Sequence, residues 1–388
     1  MCAETETRDV VIIGGGPAGC ATALSLRAHA PALSVALVEA SSYETQRVGE
    51  VLPSVARVFL EHLGVWPAFQ AERHRPAHAT ASAWGTPLRR ENHSIYTTRG
   101  AGWHLDRARF DSFLAREAAT RGADVRTGVR AVAFERTESN SQDAWSLRLS
   151  DGARLCTRFV VDATGRRAAF ARRAGARPLA FDSLVGFARL FTLDPRSEPD
   201  TLVEAAAYGW WYTAPAGDRR VVACMTDADL ARGLGLRDER RWLDLFEGVR
   251  LVRRGVGDAV LVGEPVVRAA NSARLDKVCS ADWLAVGDAA SAYDPLSSQG
   301  IVKSLRAGIF ASYAIADRLL RSDDAGLRRY AKFVGREFDS YMSAHARYCA
   351  EEARWPDSEF WRRRADTSAQ APASNAADLT DFIERRLA

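Results

Sequence analysis

The sequence contains few lysines and no long apolar run. Lysine occurs only at Lys277, Lys303 and Lys332 among 388 residues, although 53 residues are basic, so nearly every basic side chain is an arginine. No apolar stretch approaches the roughly 18 residues that a membrane-spanning helix needs. A strand-like segment starts directly after the polar residues 1–8, which leaves no room for a signal peptide. We therefore expect a cytoplasmic protein with no membrane partner.

Patterns typical of metal sites and disulfide frameworks are also missing. The six cysteines include no C-x-x-C pair, and the seven histidines show no H-E-x-x-H spacing. The sequence therefore predicts reduced thiols and no metal site. The net charge of +4 is spread along the chain, and it is too small to indicate a nucleic-acid partner.

The segment DVVIIGGGPAGCATALSL (9–26) indicates a strand, a glycine turn and a helix. Residues 9–13 are almost all apolar, as in a strand buried on both faces, and three glycines follow at G-x-G-x-x-G spacing. This pattern brings a helix N-terminus with its free N–H groups up to a pyrophosphate. An acidic residue at the end of the next strand, SVALVEA, is placed to bind ribose hydroxyls. The residues predicted to face a dinucleotide are Gly14, Gly16, Pro17, Ala18, Gly19 and Glu39.

Two later motifs extend this site. RFVVDATGRR (158–167) is an apolar strand that leads into a turn, and DWLAVGDAASAYDPLSSQGIVKSLRAG (282–308) is a strand, a Gly-Asp pair, a loop and a helix. The N-terminus of that helix would offer N–H donors and a positive dipole end to an anionic ring edge. An ordinary Ser-capped helix is the alternative for the serines. The residues singled out are Asp162, Gly165, Gly287, Asp288, Pro295, Ser298, Gly300 and Ile301.

With these three motifs in this order, residues 8–320 resemble the FAD-dependent monooxygenases and halogenases of the para-hydroxybenzoate hydroxylase fold. The resemblance implies an α/β fold with a Rossmann-like FAD-binding domain, an inserted antiparallel-sheet substrate domain and C-terminal helices. It also implies FAD as the cofactor, with Asp288 on the ribityl chain and the helix after Pro295 facing the isoalloxazine. No second G-x-G-x-x-G follows a strand, so the external reductant stays open between NAD(P)H and a flavin reductase.

Two further segments resemble this family. QRVGEVLPS (46–54) matches its stretch along the flavin, here with Arg47, Gly49 and Glu50. Glu50 is the candidate acid or base for catalysis, and a structural hydrogen-bonding role is the alternative. Glu204 is a second, weaker candidate for acid–base chemistry. GWHLDRARFDSFLAREAATRGADV (102–125) matches its R-x-x-F-D helix, with Arg107 at the position that commonly contacts the cofactor. A salt bridge from Arg107 to Asp111, one helical turn away, is the alternative.

Because the motifs are separated in sequence, the FAD-binding domain is expected in three parts. The strand-like segments 183–193, 201–215 and 219–228 are predicted to be neighbours in the inserted sheet, and the histidines of residues 72–104 are predicted to lie at the surface. The predicted division is 8–75, 105–180 and 271–322 for FAD binding, 76–104 for a substrate-layer segment, 181–270 for the substrate-binding sheet, 323–364 for a C-terminal helical region, and 365–388 for a flexible tail with a short helix.

The stretch YGWWYTAP (208–215) places three aromatic residues side by side. Side chains alternate along a strand, so Trp210 and Tyr212 share one face and Trp211 points to the other. We predict that Trp210 and Tyr212 line a pocket for a flat aromatic substrate while Trp211 packs in the interior. The reverse would hold if the register slipped by one residue.

The scarcity of lysine bears on the reaction. Flavin-dependent tryptophan halogenases carry W-x-W-x-I-P in this sheet, from which Tyr212 and Ala214 depart, and they rely on a lysine in the first third of the chain. The first lysine here is Lys277, and an arginine cannot replace that amine because its guanidinium does not lose a proton near neutral pH. The sequence therefore looks most similar to the flavoproteins that modify a peptidyl tryptophan during biogenesis of the tryptophylquinone cofactor.

That resemblance implies hydroxylation of an indole-type ring with O2 through a flavin C4a-hydroperoxide, on a tryptophan of a partner protein. Aromatic walls would exclude water and orient the ring. The alternatives are a halogenase or small-molecule aromatic hydroxylase of a natural-product pathway, an FAD-dependent reductase, and a non-catalytic flavoprotein chaperone.

Overall fold

The computed structural model describes residues 5–44, 51–94, 100–137, 144–194 and 197–368. Arg47, Gly49 and Glu50 lie outside the described residues, as does nearly all of the predicted tail. The helices are α1 (Pro17–His29), α2 (Ala56–His62), α3 (Trp66–Ala71), α4 (Arg107–Thr120), α5 (Ala169–Arg173), α6 (Ala228–Leu234), α7 (Glu239–Glu247), α8 (Arg250–Val256), α9 (Gly300–Arg321), α10 (Ala325–Ala350) and α11 (Glu359–Ser368).

Strands occur throughout the chain up to α9, and they are numbered here in chain order. They are β1 (Thr5–Ile13), β2 (Val35–Glu39), β3 (Val51–Leu52), β4 (Arg75–Ala77), β5 (Ala79–Ala83), β6 (Arg90–His93), β7 (Gly102–His104), β8 (Asp124–Thr127), β9 (Ala131–Arg136), β10 (Trp145–Leu149), β11 (Arg154–Asp162), β12 (Pro178–Ala180), β13 (Leu184–Thr192), β14 (Thr201–Ala206), β15 (Gly209–Ala216), β16 (Arg219–Asp227), β17 (Leu261–Ala269), β18 (Ala273–Leu275), β19 (Cys279–Ser280), β20 (Trp283–Ala285) and β21 (Ser291–Ala292).

The first large sheet has the glycine-motif strand at its centre. Its order is β19–β20–β11–β1–β2–β8, and β10 joins β9 to β11. β1 pairs in parallel with both β11 and β2, and Val10, Val11 and Ile12 have no exposed surface, as expected of a central parallel strand. The predicted Rossmann-like α/β half is therefore confirmed. Parallel pairing also brings the carboxyl ends of β1, β2, β11 and β20 to one edge, where the three sequence motifs meet.

The second large sheet has the order β17–β13–β16–β15–β14–β5–β6. Its strand pairs are antiparallel, apart from the parallel pair β14–β5. The prediction of a single strand over 201–215 was wrong. The chain turns there, and β14 and β15 form a hairpin in which Ala206 faces Gly209. Gly209 has φ of +151°, and a Cβ atom there would lie 2.0 Å from the Met225 carbonyl oxygen, so the turn requires glycine.

The two faces of this sheet are covered differently. The outer face, defined by Trp211, Phe187 and Val222, packs under α7 and α8. The inner face, defined by Trp210, Tyr212 and their neighbours, packs toward the loop before α9 and the C-terminal helices. The substrate predicted from the sequence would therefore lie against the inner face, between this sheet and the cofactor half.

The long helix α9 ties the cofactor half together. It packs closely on α1, and a Cβ atom at Gly308 would lie 2.6 Å from the Ala18 carbonyl oxygen, so glycine is needed where the helices cross. α10 packs along α9, and α11 packs against α10. Among the helices of the described ranges, none combines the length and apolar character that crossing a membrane would require.

Candidate active site

The first glycine turn is tightly packed at two positions and open at a third. A Cβ atom at Gly14 would lie 2.2 Å from the Ala163 carbonyl oxygen, and one at Gly19 would lie 1.9 Å from the Gly14 carbonyl oxygen. Gly14 also has φ of +114°. At Gly16, by contrast, no described atom lies within 4 Å of the Cβ position. α1 begins at Pro17, and no side chain of the described residues caps it, as a pyrophosphate site requires.

Glu39 closes this turn from the end of β2. One of its carboxylate oxygens accepts a hydrogen bond from the Gly15 N–H at 2.7 Å, and the other accepts one from the Ser41 N–H at 3.0 Å. The residue is 8% exposed. Glu39 therefore holds the glycine turn in place, and its contact with a ribose stays a prediction.

Asp162 holds the turn that follows β11, and its predicted contact with the cofactor stays a prediction. Its carboxylate is fully buried and accepts hydrogen bonds from the Thr164 N–H at 2.9 Å, from the Thr164 hydroxyl at 2.7 Å and from the Ala171 N–H at 2.7 Å. Burial raises the pKa of this carboxyl, and these hydrogen bonds oppose the rise. Asp162 thus shapes the turn. Gly165, in the same turn, has φ of +66° and no described atom near its Cβ position, so it faces open space.

Asp288 is held by two cations. Lys303 is 3% exposed, and its Nζ donates to Asp288 Oδ1 at 2.7 Å and to the Ser291 carbonyl. Arg166 Nε lies 3.9 Å from the second carboxylate oxygen. Burial would raise the pKa of Asp288, but Lys303 and Arg166 outweigh it and keep that pKa below its usual value. The Asp288 side chain remains 37% exposed, so it presents an ionised carboxylate to hydroxyl donors.

The loop before α9 is wound so that the helix N-terminus stays open. Asp294 Oδ1 accepts from the Leu296 N–H at 2.9 Å and starts a 3-10 turn at Pro295. Ser298 then takes a left-handed conformation with φ of +51°. No side chain caps α9, so the Ser-capped alternative is not what the structure shows. In the described chain, no atom lies within 4 Å of the Cβ position of Gly300, and the next residue, Ile301, is buried.

The same loop is anchored to α10 by a buried ionic pair. His345 Nε2 lies 2.9 Å from Asp294 Oδ2, and the Asp294 N–H donates to the Tyr341 hydroxyl at 2.8 Å. Burial lowers the pKa of His345, but the hydrogen bond to Asp294 and the contact with Cys349 outweigh it and raise that pKa to about 10. His345 is therefore protonated at neutral pH and forms an ion pair with the Asp294 carboxylate.

Arg107 forms the salt bridge that was one of its two predicted roles. Its Nη2 forms an ion pair with Asp111 at 3.1 Å, and the Asp111 side chain is fully buried. The charge of Arg107 also lowers the pKa of Asp288, so the guanidinium lies close enough to act on the cofactor site. Asp111 thus positions Arg107 there, and a direct contact between Arg107 and the cofactor stays a prediction.

The aromatic stretch divides between the two faces of the second sheet. Trp211 has no exposed surface and packs 5.0 Å from Trp242 on the outer face. Trp210 and Tyr212 belong to the inner-face cluster that also includes Leu296 from the loop before α9. Trp210 is only 2% exposed, because the C-terminal helices cover this end of the sheet, whereas Tyr212 is partly exposed. A substrate role fits Tyr212 better than Trp210, and it stays a prediction for both.

Two other sequence expectations need correction. His104 is 2% exposed rather than at the surface, and burial lowers its pKa to about 4, so it is neutral at physiological pH. Glu204, a weak candidate for acid–base chemistry, instead accepts hydrogen bonds from the N–H groups of Arg250, Leu251 and Val252. It therefore caps the N-terminus of α8 on the outer face.

These features fit a flavin dinucleotide. The uncapped N-termini of α1 and α9 converge with the open positions at Gly16 and Gly300 and with the half-exposed carboxylate of Asp288. This gives N–H donors for phosphates, an acceptor for sugar hydroxyls and a positive helix end for an anionic ring edge. No group of three or more histidine, cysteine or acidic side chains in the described part of the chain could hold a metal ion.

Comparison with known proteins decides the family. The family model of the tryptophan halogenases matches residues 9–85 and 70–385. The chain belongs to the tryptophan halogenase family. It is also 31% identical to LodB of Marinomonas mediterranea, named as an FAD-dependent oxidoreductase, over 95% of this chain and 100% of LodB. The protein is accordingly an FAD-dependent oxidoreductase.

Two solved structures of flavoproteins resemble this member of the tryptophan halogenase family. The flavin-dependent halogenase CmlS superposes with a TM-score of 0.81 at 23% identity, covering 98% of this chain and 70% of CmlS. The peptidyl tryptophan dihydroxylase QhpG, which is essential for tryptophylquinone cofactor biogenesis, superposes with a TM-score of 0.74 at 26% identity, covering 92% of this chain and 78% of QhpG. The CmlS likeness concerns the fold alone.

Sequence reasoning missed the residues that hold Asp288 and the loop before α9. Lys303 and Arg166 reach Asp288 from different elements, and His345 comes from α10, 51 residues from its partner. The scarcity of lysine offered one signal, because an isolated lysine on the apolar face of a helix needs a partner when it is buried. His345 has no comparable local signal.

Proposed function

We propose that this protein is an FAD-dependent monooxygenase that hydroxylates the indole ring of a tryptophan side chain in a partner polypeptide, with O2 and an external reductant. The observation that carries the proposal is the position of the lysines. The sequence has only three, and none of them faces the space between the inner face and the cofactor half. Lys303 is bound to Asp288, and Lys277 and Lys332 are exposed residues.

Lysine position distinguishes the two reactions because a halogenating enzyme of this family uses an amine between flavin and substrate. An amine can hold and direct an electrophilic halogen, whereas arginine cannot. Hydroxylation needs no such amine, because no halogen has to be held and directed. The likeness to QhpG at 26% identity over 92% of this chain supports a tryptophan residue of a polypeptide as the ring.

The chain's own residues have three tasks in this reaction. The helix N-termini of α1 and α9, together with Asp288 and its partner Lys303, bind and orient the cofactor. FAD, when bound, supplies the activation of O2. The apolar inner face excludes water and orients the ring. The hydrophobic residues that are partly buried against this face include Val51, Leu190, Val203, Tyr212, Val266 and Leu296.

Halogenation is the second candidate, and membership of the tryptophan halogenase family favours it. It would require an amine or another group to direct the halogen. The described hydrophobic residues that form the inner-face cluster carry no amine. Both reactions use the same cofactor, which makes the product the discriminating observation.

The test is product analysis by mass spectrometry. FAD-loaded protein would be supplied with NADH, a flavin reductase, O2 and bromide, and offered free tryptophan or a tryptophan-containing peptide of a candidate quinoprotein. The control peptide has phenylalanine in place of that tryptophan. The proposal expects the mass of one or two oxygen atoms on the tryptophan peptide only. A brominated product would refute hydroxylation, and oxygenation of free tryptophan alone would refute the peptidyl substrate.

A further inference from the structure

A pocket lies on the outer face of the second sheet, away from the cofactor half. Its volume is about 300 Å³, and its walls include Phe187, Arg189, Leu236, Arg237, Trp242 and Pro265. Phe187, Leu236 and Trp242 belong to the outer-face cluster. The pocket is therefore separated from the cofactor site by the sheet itself, and neither the family resemblance nor the proposed reaction makes use of it.

Arg189 is the unusual residue in this pocket. It is 3% exposed, and its Nε is buried without a hydrogen-bond acceptor among the described residues. Its Nη1 pairs with Glu239 at 2.8 Å, but the Glu239 side chain is 60% exposed, so solvent weakens that pair. The guanidinium lies 5.5 Å from the centre of the Trp242 ring. A buried cation with an unused donor is costly unless something completes its hydrogen bonds.

The sheet is irregular beside Arg189. Along β13, Ala188 pairs with Val266 and Leu190 pairs with Val262, so the ladder to β17 is interrupted at Arg189. Gly263, opposite the interruption, has φ of +74°, and the nearby Pro265 cannot donate a backbone hydrogen bond. Such bulges redirect a side chain and are frequent at binding sites. The pairing between β13 and β17 is therefore interrupted beside the buried guanidinium of Arg189.

We propose that this pocket is a second ligand site, which binds a carboxylate carried on a flat apolar body. The guanidinium of Arg189, with the exposed Arg237 at the rim, provides donors for the carboxylate, and a planar guanidinium binds a planar carboxylate through paired hydrogen bonds. The walls formed by Phe187, Trp242 and Leu236 accept an aromatic or branched aliphatic group. Because the site lies across the sheet from the flavin half, its ligand is distinct from the oxidised substrate.

Benzoate is a suitable probe, and benzamide is its uncharged match. Each would be titrated into the FAD-loaded protein, with binding followed by calorimetry and by tryptophan fluorescence, since Trp242 lines the pocket. We expect saturable benzoate binding at least about tenfold tighter than benzamide binding, because only benzoate forms charge-assisted hydrogen bonds. Arg189→Gln should weaken benzoate binding by about tenfold or more. Glu239→Gln should tighten it, because the competing carboxylate is removed.

Several results would overturn the proposal. Equal binding of benzoate and benzamide, no benzoate binding, or benzoate binding unchanged in Arg189→Gln would each exclude a guanidinium site. Benzoate binding that shifts the flavin absorption spectrum and survives Arg189→Gln would place the ligand in the cofactor half instead. If Arg189→Gln does not fold, the variant of the exposed Glu239 provides the test. A benzoate affinity that does not rise in Glu239→Gln refutes the site.

Discussion

Replacing Lys303 by methionine perturbs the cofactor site at one charge. Methionine retains much of the side-chain volume of lysine but removes the ammonium that donates to Asp288 at 2.7 Å, and it leaves Arg166, whose Nε lies 3.9 Å from the carboxylate. A hydrogen bond to a charged group contributes about 1.5–3 kcal/mol. If Lys303 sets the position of the carboxylate that binds the cofactor, Lys303→Met should weaken FAD binding by about 10- to 150-fold.

The loss should also depend on pH. In the native protein Lys303 and Arg166 hold the pKa of Asp288 below its usual value despite its burial. A carboxyl group whose pKa is lowered in the folded protein stabilises that state at pH values above the ordinary carboxyl pKa. This stabilisation is lost as the pH falls through the lowered pKa. Without Lys303 the pKa of Asp288 rises. FAD affinity in the variant should therefore decline at a higher pH during acidification than it does in the native protein.

The assay is a fluorescence titration of the FAD-free protein with FAD, repeated from neutral to acidic pH. Lys277→Met serves as the matched control, because Lys277 is an exposed lysine on another loop, and it should leave affinity unchanged. Circular dichroism would show that both variants are folded. The reasoning fails if folded Lys303→Met binds FAD as tightly as the native protein and with the same pH dependence.

Three further predictions concern stability. Trp211→Ala should lower the free energy of unfolding in urea by about 3–5 kcal/mol, because Trp211 has no exposed surface; a cost no larger than that of Tyr212→Phe would contradict the outer-face assignment. Because the pKa of His345 is raised from 6.5 to about 10 in the folded protein, native stability should fall as pH rises through that interval. His345→Asn should flatten this decline in thermal melts, and an unchanged slope would exclude the Asp294 pair as its cause. Glu204→Gln should cost about 0.5–2 kcal/mol of urea stability, as other helix-cap losses do, whereas no measurable cost would count against its capping of α8.

The sequence by itself determined the features that depend on short-range geometry. Gly14, Gly16 and Gly19 lie where a buried strand turns into a helix, and close backbone contacts explain why Gly14 and Gly19 have no side chain. The position of Asp288 after β20 and the loop before α9 could be predicted for the same reason. Residue alternation in a strand also placed Trp210 and Tyr212 on the face opposite Trp211.

Only the tertiary structure decided which partners these residues have. Asp162 occupies a turn that buries its carboxylate, and Glu204 meets a helix 46 to 48 residues away. Lys303 and His345 gained their roles because packing of α9 and α10 brought them to Asp288 and Asp294. The ionic partner of a residue depends on how the whole chain folds, and a local sequence pattern does not show which distant residues the fold brings together. For the same reason, the covering of Trp210 by the C-terminal helices could not be predicted from its strand.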